Sequence, residues 1–431
     1  MRLWTTPQKV QAVAAACAAV AATPGFTGAL KGHAGTPVSA CPFAALRLGD
    51  GARVRGAARL WDPGATACRS MAVARTRTSW WEGGSSRPAA ATVSRPVAAL
   101  EASRADALSQ RAPPNPMPPE LGVDVAPRVA WSFWDKGADR LSDFRRLCVE
   151  TWVAQNPAWQ IRILDRNSVF EFLGPEDMPR LWGEMYVPWQ ADAVRLALLA
   201  KYGGLWIDAS TICLQPFDAW IYGVVASDER REDIGAFYFS AWGTEMHKSK
   251  EYVENWVMAA RREHPMVIAW HALFNGYWNS KSRADAMSIF TDPPGVPDHP
   301  LFRDVDLGHL QRFGMDMRNY LLMHAAFKKL IDQYPEMRRI WEEEMVLLRA
   351  DDTAFWHMEE PDVKWDVDAA MRKWLGPQNQ AWLDYVLIEC PILKFTRDAA
   401  MALDQVPREV CLDESTSLGQ VFKAALAGPP G

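Results

Sequence analysis

Three side chains in one short stretch have the types and spacing to handle a charged, oxygen-rich ligand. Asp192 and Arg195 are three apart, and Asp208 lies thirteen residues beyond Arg195. A carboxylate and a guanidinium on one helical turn can bring an acceptor and a fixed fork of donors to one cleft. A second carboxylate can hold a hard divalent cation through oxygen, and the cation can neutralise a departing phosphate. The bland alternatives are a helix-surface ion pair for Asp192 and Arg195, and a turn formed by Asp208 with Ser210 and Thr211. The combined spacing Asp-x-x-Arg followed by Gly-Gly-x-x-x-Asp favours the chemical reading.

The flanking residues say how these groups are positioned. Val194, Leu196, Ala197, Leu198, Leu199 and Ala200 are apolar around the helix, so it packs in a core. Gly203 follows Lys201 and Tyr202 and predicts a stop in a left-handed cap. Leu205-Trp206-Ile207 predicts a short strand buried on both faces. Asp208 then stands at the carboxyl end of that strand, the edge where open α/β sheets bind ligands.

Upstream, residues 128–134 predict a first strand, and Ser142 caps a helix running to about Asn156 with Phe144, Leu147, Cys148, Thr151 and Trp152 on one face. Gln160–Leu164 predicts a second strand. Short helices are expected at Val169–Leu173 and Pro179–Met185. Ile234–Ser240 predicts another strand, Glu251–Arg262 a helix, and the chain from about Pro265 onward largely helix. Strand, helix, strand, helix, strand is the order of a wound α/β sheet.

The first 120 residues differ in kind. Residues 1–100 hold twelve Lys/Arg against three Asp/Glu, while the whole chain carries a net charge of −5. The segment is rich in Ala, Arg, Ser, Gly and Pro and has no sustained period, so it is expected to be disordered or a targeting region. Arg2 and Lys9 ahead of the apolar run Val10–Ala22 resemble a signal-peptide core, which favours the secretory route. The Arg-rich stretch behind it equally resembles an organelle transit peptide, and the cytoplasm stays open as a third destination. The prolines of Ala112–Pro116 read as a linker, which leaves residues 121–431 as the catalytic domain. The net charge gives no basic signature for a nucleic-acid partner. No run of about 18 apolar residues occurs, so the catalytic part is expected to be soluble. Seven cysteines without a C-x-x-C pair argue against a zinc ribbon, and 21 tryptophans suit either core filling or stacking on sugar faces.

Several of these segments together resemble capsular-polysaccharide-synthesis-type glycosyltransferases, relatives of the family 32 galactosyl- and mannosyltransferases with a D-x-D sugar-binding motif. They are Pro127–Asp135 with its two tryptophans, Thr151–Asp165, the Asp192–Ser210 stretch, Glu254-Asn255-Trp256 followed by His264-Pro265, and Pro391–Thr396. The resemblance spans roughly 60% of the chain, and its central motif is the specific part. It implies a GT-A-like mixed sheet flanked by helices, with a largely helical C-terminal part. It also implies transfer of a hexose from a nucleotide-diphosphate sugar to a glycan or polysaccharide acceptor, with retention of configuration and a Mn²⁺ or Mg²⁺ ion. By the same resemblance, Trp131 stacks on the nucleobase, Asp192, Arg195 and Asn255 bind the donor, and Asp208 holds the metal. Ser210 stands where a strict D-x-D has its second acid, so the metal is expected to rest on Asp208, a weaker contribution from Ser210, and phosphate oxygens. Asp413 and Ser415 are remote candidates to complete its shell. No residue stands out as a general base. The runner-up reading is an inactive pseudoenzyme that binds a nucleotide sugar or glycan.

Overall fold

The computed structural model describes residues 126–429 apart from 231, 240–251, 283–294 and 313–314. The expected leader and linker in residues 1–120 lie outside the described residues.

Strand β1 is Val129–Phe133, fully buried. Helix α1, Asp143–Gln155, starts where the Ser142 hydroxyl accepts the Arg145 backbone N–H at 3.2 Å. It buries the apolar face expected from its spacing. Strand β2 is Gln160–Leu164. Helix α2, Val187–Tyr202, has twelve of its sixteen residues buried, as an all-round apolar helix must.

The step from α2 to strand β3 (Gly204–Ile207) takes a single residue, Gly203. Gly203 ends the helix with the positive φ expected, 70°, but its ψ of −157° is not that of a left-handed helical cap and turns the chain straight into β3. A Cβ on Gly203 would lie 2.5 Å from the Arg262 backbone nitrogen. Gly204 has φ 95°, and its Cβ would lie 2.6 Å from the Val129 carbonyl oxygen. Only glycine reconciles that dihedral with that approach.

Strands β4 (Thr211–Cys213), β5 (Ile234–Tyr238) and β6 (Val253–Ala260) follow, then helices α3 (Pro265–Asn279), α4 (Leu322–Gln333) and α5 (Pro335–Glu343). Strand β7 is Met345–Arg349. Helices α6 (Val367–Trp374) and α7 (Gln380–Glu389), strand β8 (Ile392–Lys394), and helices α8 (Arg397–Leu403) and α9 (Ser417–Leu426) complete the chain.

Residues 253–260 correct the expectation of a helix. They form the central strand β6, antiparallel to β3 on one side and to β5 on the other. Seven of its eight side chains are buried, so a strand with two partners satisfies the backbone where a helix would leave both neighbours as open edges. An apolar run of this length does not by itself separate the two structures.

The main sheet has the order β2-β1-β3-β6-β5-β7. β2, β1 and β3 are mutually parallel, β6 opposes them, and β7 runs parallel to β5. A second, two-stranded sheet pairs β8 with β4, Lys394 lying opposite Thr211. One core packs α2, α3 and α4 on the face that carries Trp131 and Trp206. The other packs α1, α6, α7, α8 and α9 on the face that carries Leu205 and Ile207. The α/β expectation holds: a mixed sheet lies between helical layers, with a mostly helical C-terminal part.

Candidate functional site

The site is built where β3 leaves the sheet. β3 delivers Asp208, whose backbone N–H donates to the Trp256 carbonyl of β6 at 2.9 Å. α2 packs over the same end and presents Asp192 and Arg195, both buried. β6 presents Asn255, its one half-buried residue. α4 contributes the Met323 sulfur, 3.5 Å from Arg195 Nη1 and 3.3 Å from Asn255 Nδ2.

Arg195 ties the carboxylates together. Its Nη1 pairs with Asp192 Oδ1, and its Nη2 donates to Asp208 Oδ1 at 3.1 Å. Its guanidinium also lies over the Trp206 ring, 4.6 Å from the centroid. Asn255 Nδ2 donates to Asp192 Oδ1 at 3.1 Å, and Trp206 Nε1 donates to Asp208 Oδ1 at 3.0 Å. The bland reading of Asp192 and Arg195 as a surface pair does not survive, since the Arg195 side chain is 4% exposed and the Asp192 side chain 11%.

A residue missed by the sequence reading completes the cluster. Lys394, at the end of β8, donates to Asp208 Oδ2 at 3.0 Å and to Ser210 Oγ at 2.7 Å. Its main chain is fixed on both sides of the residue: its N–H donates to the Ala354 carbonyl at 2.8 Å, and its own carbonyl oxygen lies 3.1 Å from His357 Nε2. The Ser210 hydroxyl in turn donates to the Phe395 carbonyl at 3.3 Å. The signal was a lysine set between Ile392-Leu393 and Phe395, since lysine is rarely buried without a partner. What sequence could not show was a partner 186 residues away.

The electrostatics follow from burial and pairing. Burial raises the Asp192 carboxyl to about 6; Arg195 counteracts this and the nearby Asp208 charge adds to it. Burial pushes Asp208 up as well, but Lys394 and then Arg195 outweigh it, so this carboxyl is held below its usual range. Burial lowers the Lys394 ammonium, with Asp208 offsetting part of the effect.

The other expected residues fall elsewhere. Trp131 is not brought to the cluster. It is fully buried in β1, its Nε1 donates to the Gly203 carbonyl at 2.9 Å, and Phe172 and Tyr202 pack against its ring. No face of it is open to a nucleobase. Trp134, just past β1, is half-buried at the same sheet edge as Asp208, with the Arg145 guanidinium 4.7 Å from its ring centroid. Asp413 and Ser415 sit in an exposed turn ahead of α9, where Asp413 Oδ1 accepts the Ser415 backbone N–H at 2.9 Å. No contact joins them to Asp208 among the described residues.

The residues at Asp208 do not fit a divalent cation as they stand. Both Asp208 oxygens already accept from cationic or N–H donors, and the Ser210 hydroxyl accepts the Lys394 ammonium. Among the described residues, no group of three His, Cys, Asp or Glu side chains is placed to hold a metal.

Comparison with known proteins bears on this arrangement. Residues 118–291 match the family model of the capsular polysaccharide synthesis protein. The match holds β1 to β6, and with them Asp192, Arg195, Asp208, Ser210 and Asn255; it does not extend to Lys394. Over this stretch the match agrees with the capsular-polysaccharide-synthesis type drawn from the motifs; Pro391–Thr396 lies outside it. The chain is similar to the glycosyltransferase afumC of Aspergillus fumigatus, at 26% identity over 226 residues, which are 49% of this chain and 53% of that one. It is also similar to the O-glycosyltransferase PaGT of Phomopsis amygdali, at 27% over 194 residues, 42% of this chain and 43% of that one. The O-glycosyltransferase braB of Annulohypoxylon truncatum matches at 24% over 189 residues, 41% of this chain and 42% of that one. The chain thus spans about half the length of the curated relatives it matches, or less. Among the described residues, no helix is long and apolar enough to cross a membrane.

Proposed function

We propose that this chain is a glycosyltransferase that moves a hexose from a nucleotide-diphosphate sugar to a hydroxyl of a glycan acceptor. The observation that carries the reading is the Asp192–Arg195–Asp208 chain at the carboxyl end of β3, its first two members buried and Asp208 partly exposed, steadied by Asn255 and set inside the stretch that matches the capsule-synthesis family. The glycosyltransferase names of the relatives support the reaction class.

The roles follow from the chemistry of each group. Asp192 accepts from donor hydroxyls, and Asn255 beside it offers a carbonyl and an amide to the same sugar. Arg195 keeps both carboxylates oriented and adds positive charge near the leaving group. Trp134, and not Trp131, is the aromatic set at the sheet edge where a nucleobase would lie. In the transfer, the bond between the anomeric carbon and the diphosphate oxygen breaks, and its electron pair leaves with the diphosphate. The acceptor oxygen bonds to the anomeric carbon, and its proton passes to the departing diphosphate.

The test is incubation of the full chain with UDP- and GDP-hexoses, with and without oligosaccharide acceptors, while released nucleoside diphosphate is followed. Release that depends on one donor and falls away in Asp192→Asn supports the reading. No release with any donor, from a protein that still binds one, would make it an inactive binder instead.

A further inference from the structure

We infer that the Lys394 ammonium is this site's own cation: it binds the donor diphosphate directly, and nucleotide binding needs no divalent metal. The inference rests on the glycosyltransferase reading and goes beyond it by naming how the diphosphate charge is met.

The geometry carries it. A D-x-D-type site holds its metal between two acidic side chains two residues apart. Here those positions are Asp208 and Ser210, and Lys394 Nζ bridges them at 3.0 and 2.7 Å. The second position carries a hydroxyl and no acid, and a positive charge lies between the two. A carboxylate and a neutral hydroxyl are a poor set for a hard dication, but they suit one ammonium. Adding a divalent ion would either displace Lys394 or put two cationic centres side by side, with the Arg195 guanidinium already on the other oxygen of Asp208.

The ammonium is also equipped to act. It has three N–H donors, and among the described residues two of them have acceptors. The third is available to a phosphate oxygen. The Asp208 side chain is 31% exposed whereas Lys394 is 11% exposed, so the cluster opens to solvent on the carboxylate side, where a ligand would enter. The strand pairing of β8 with β4 and the contacts to Ala354 and His357 hold the lysine backbone in place before any ligand arrives. Charge placed in advance costs little reorganisation during the reaction.

The test is calorimetric binding of UDP and of GDP to the full chain, once in EDTA and once in MnCl₂, for wild type and Lys394→Met. The expected result is wild-type affinity for one nucleotide equal in both conditions, within about threefold. Lys394→Met should lose at least about tenfold in EDTA, the scale of one hydrogen bond to a charged group. Wild-type binding that appears only with Mn²⁺ would overturn the inference and leave the proposed function standing. So would Lys394→Met binding as wild type does in EDTA. Binding of neither nucleotide in either condition would overturn the proposed function, and this inference with it. Thermal unfolding shows whether Lys394→Met is folded; if it is not, the two wild-type arms decide alone.

Discussion

The Arg195 guanidinium lies 4.6 Å from the centroid of the Trp206 ring while its own nitrogens reach Asp192 and Asp208. Trp206 is in the strand that runs up to Asp208, and its indole N–H donates to the same carboxylate oxygen. One planar cation is therefore stacked and forked at once. An ammonium has no plane to stack and no fixed fork of donors. Arg195→Lys is expected to keep the charge and lose at least about tenfold in turnover, the cost of one charged hydrogen bond. Steady-state rates beside a melting curve check it. Near-normal turnover would reduce Arg195 to a structural partner of Asp192.

Asp208→Asn keeps the shape and removes the charge that Lys394 and Arg195 share. Two cations then face each other across a neutral amide. The expected loss of stability is about 1–3 kcal/mol, below the cost of breaking a fully buried pair because this carboxylate is partly exposed. Turnover should fall by at least about 10²-fold, the scale of removing one electrostatic stabiliser. Ser210→Ala leaves the charges alone and is expected to cost less on both counts. Equal effects from the two variants would argue that the hydroxyl, and not the carboxylate, organises Lys394.

His357 links the lysine to the C-terminal core and gives the fold an acid sensitivity. The Trp374 indole N–H donates to His357 Nδ1 at 3.2 Å, so Nε2 bears the proton and donates to the Lys394 carbonyl at 3.1 Å. Burial lowers this imidazole to about 4 from an ordinary value of 6.5, with only the Lys394 hydrogen bond opposing. The unfolded state therefore binds the extra proton first as pH falls. Stability is lost between pH 6.5 and about 4 and levels off below, by roughly 3 kcal/mol from this residue. Gln in its place can accept from Trp374 and donate to Lys394 without titrating. Urea unfolding of His357→Gln and wild type across this window should diverge by that amount, and parallel curves would rule the histidine out.

Much of the scaffold was legible because it is encoded locally. Ser142 caps α1, Gln160–Leu164 is β2 to the residue, and α2 is apolar all round. Asp192, Arg195 and Asp208 were legible as a group because one helix and one strand, joined by a single residue, carry all three. Residues 253–260 were misread because their strand character comes from two neighbours and not from their own period. Trp131 was placed by resemblance to a function that its complete burial does not permit. Lys394 was out of reach because its meaning lies in β8 pairing with β4, a contact between distant parts of the chain that no local pattern announces.

The joint between α2 and β3 gives a last prediction, since the whole site depends on it. Gly203 has φ 70° and ψ −157°, a conformation open essentially to glycine alone. Its Cβ would also lie 2.5 Å from the Arg262 nitrogen and 2.9 Å from the Ala260 carbonyl oxygen. Both are backbone atoms, one at the end of β6 and one in the turn that follows it, so no flexible side chain can swing aside. Gly203→Ala must therefore either strain the dihedral or push β6 away from β3. The strain alone costs about 1–3 kcal/mol, and the clash adds to it. For a domain of this size the melting temperature should drop by about 5 °C or more. Because β3 carries Asp208 and β6 carries Asn255, any protein that still folds should also bind nucleotide more weakly. A Gly203→Ala variant with wild-type melting and binding would mean that the α2–β3 joint tolerates a side chain, and that the site is not held by this turn.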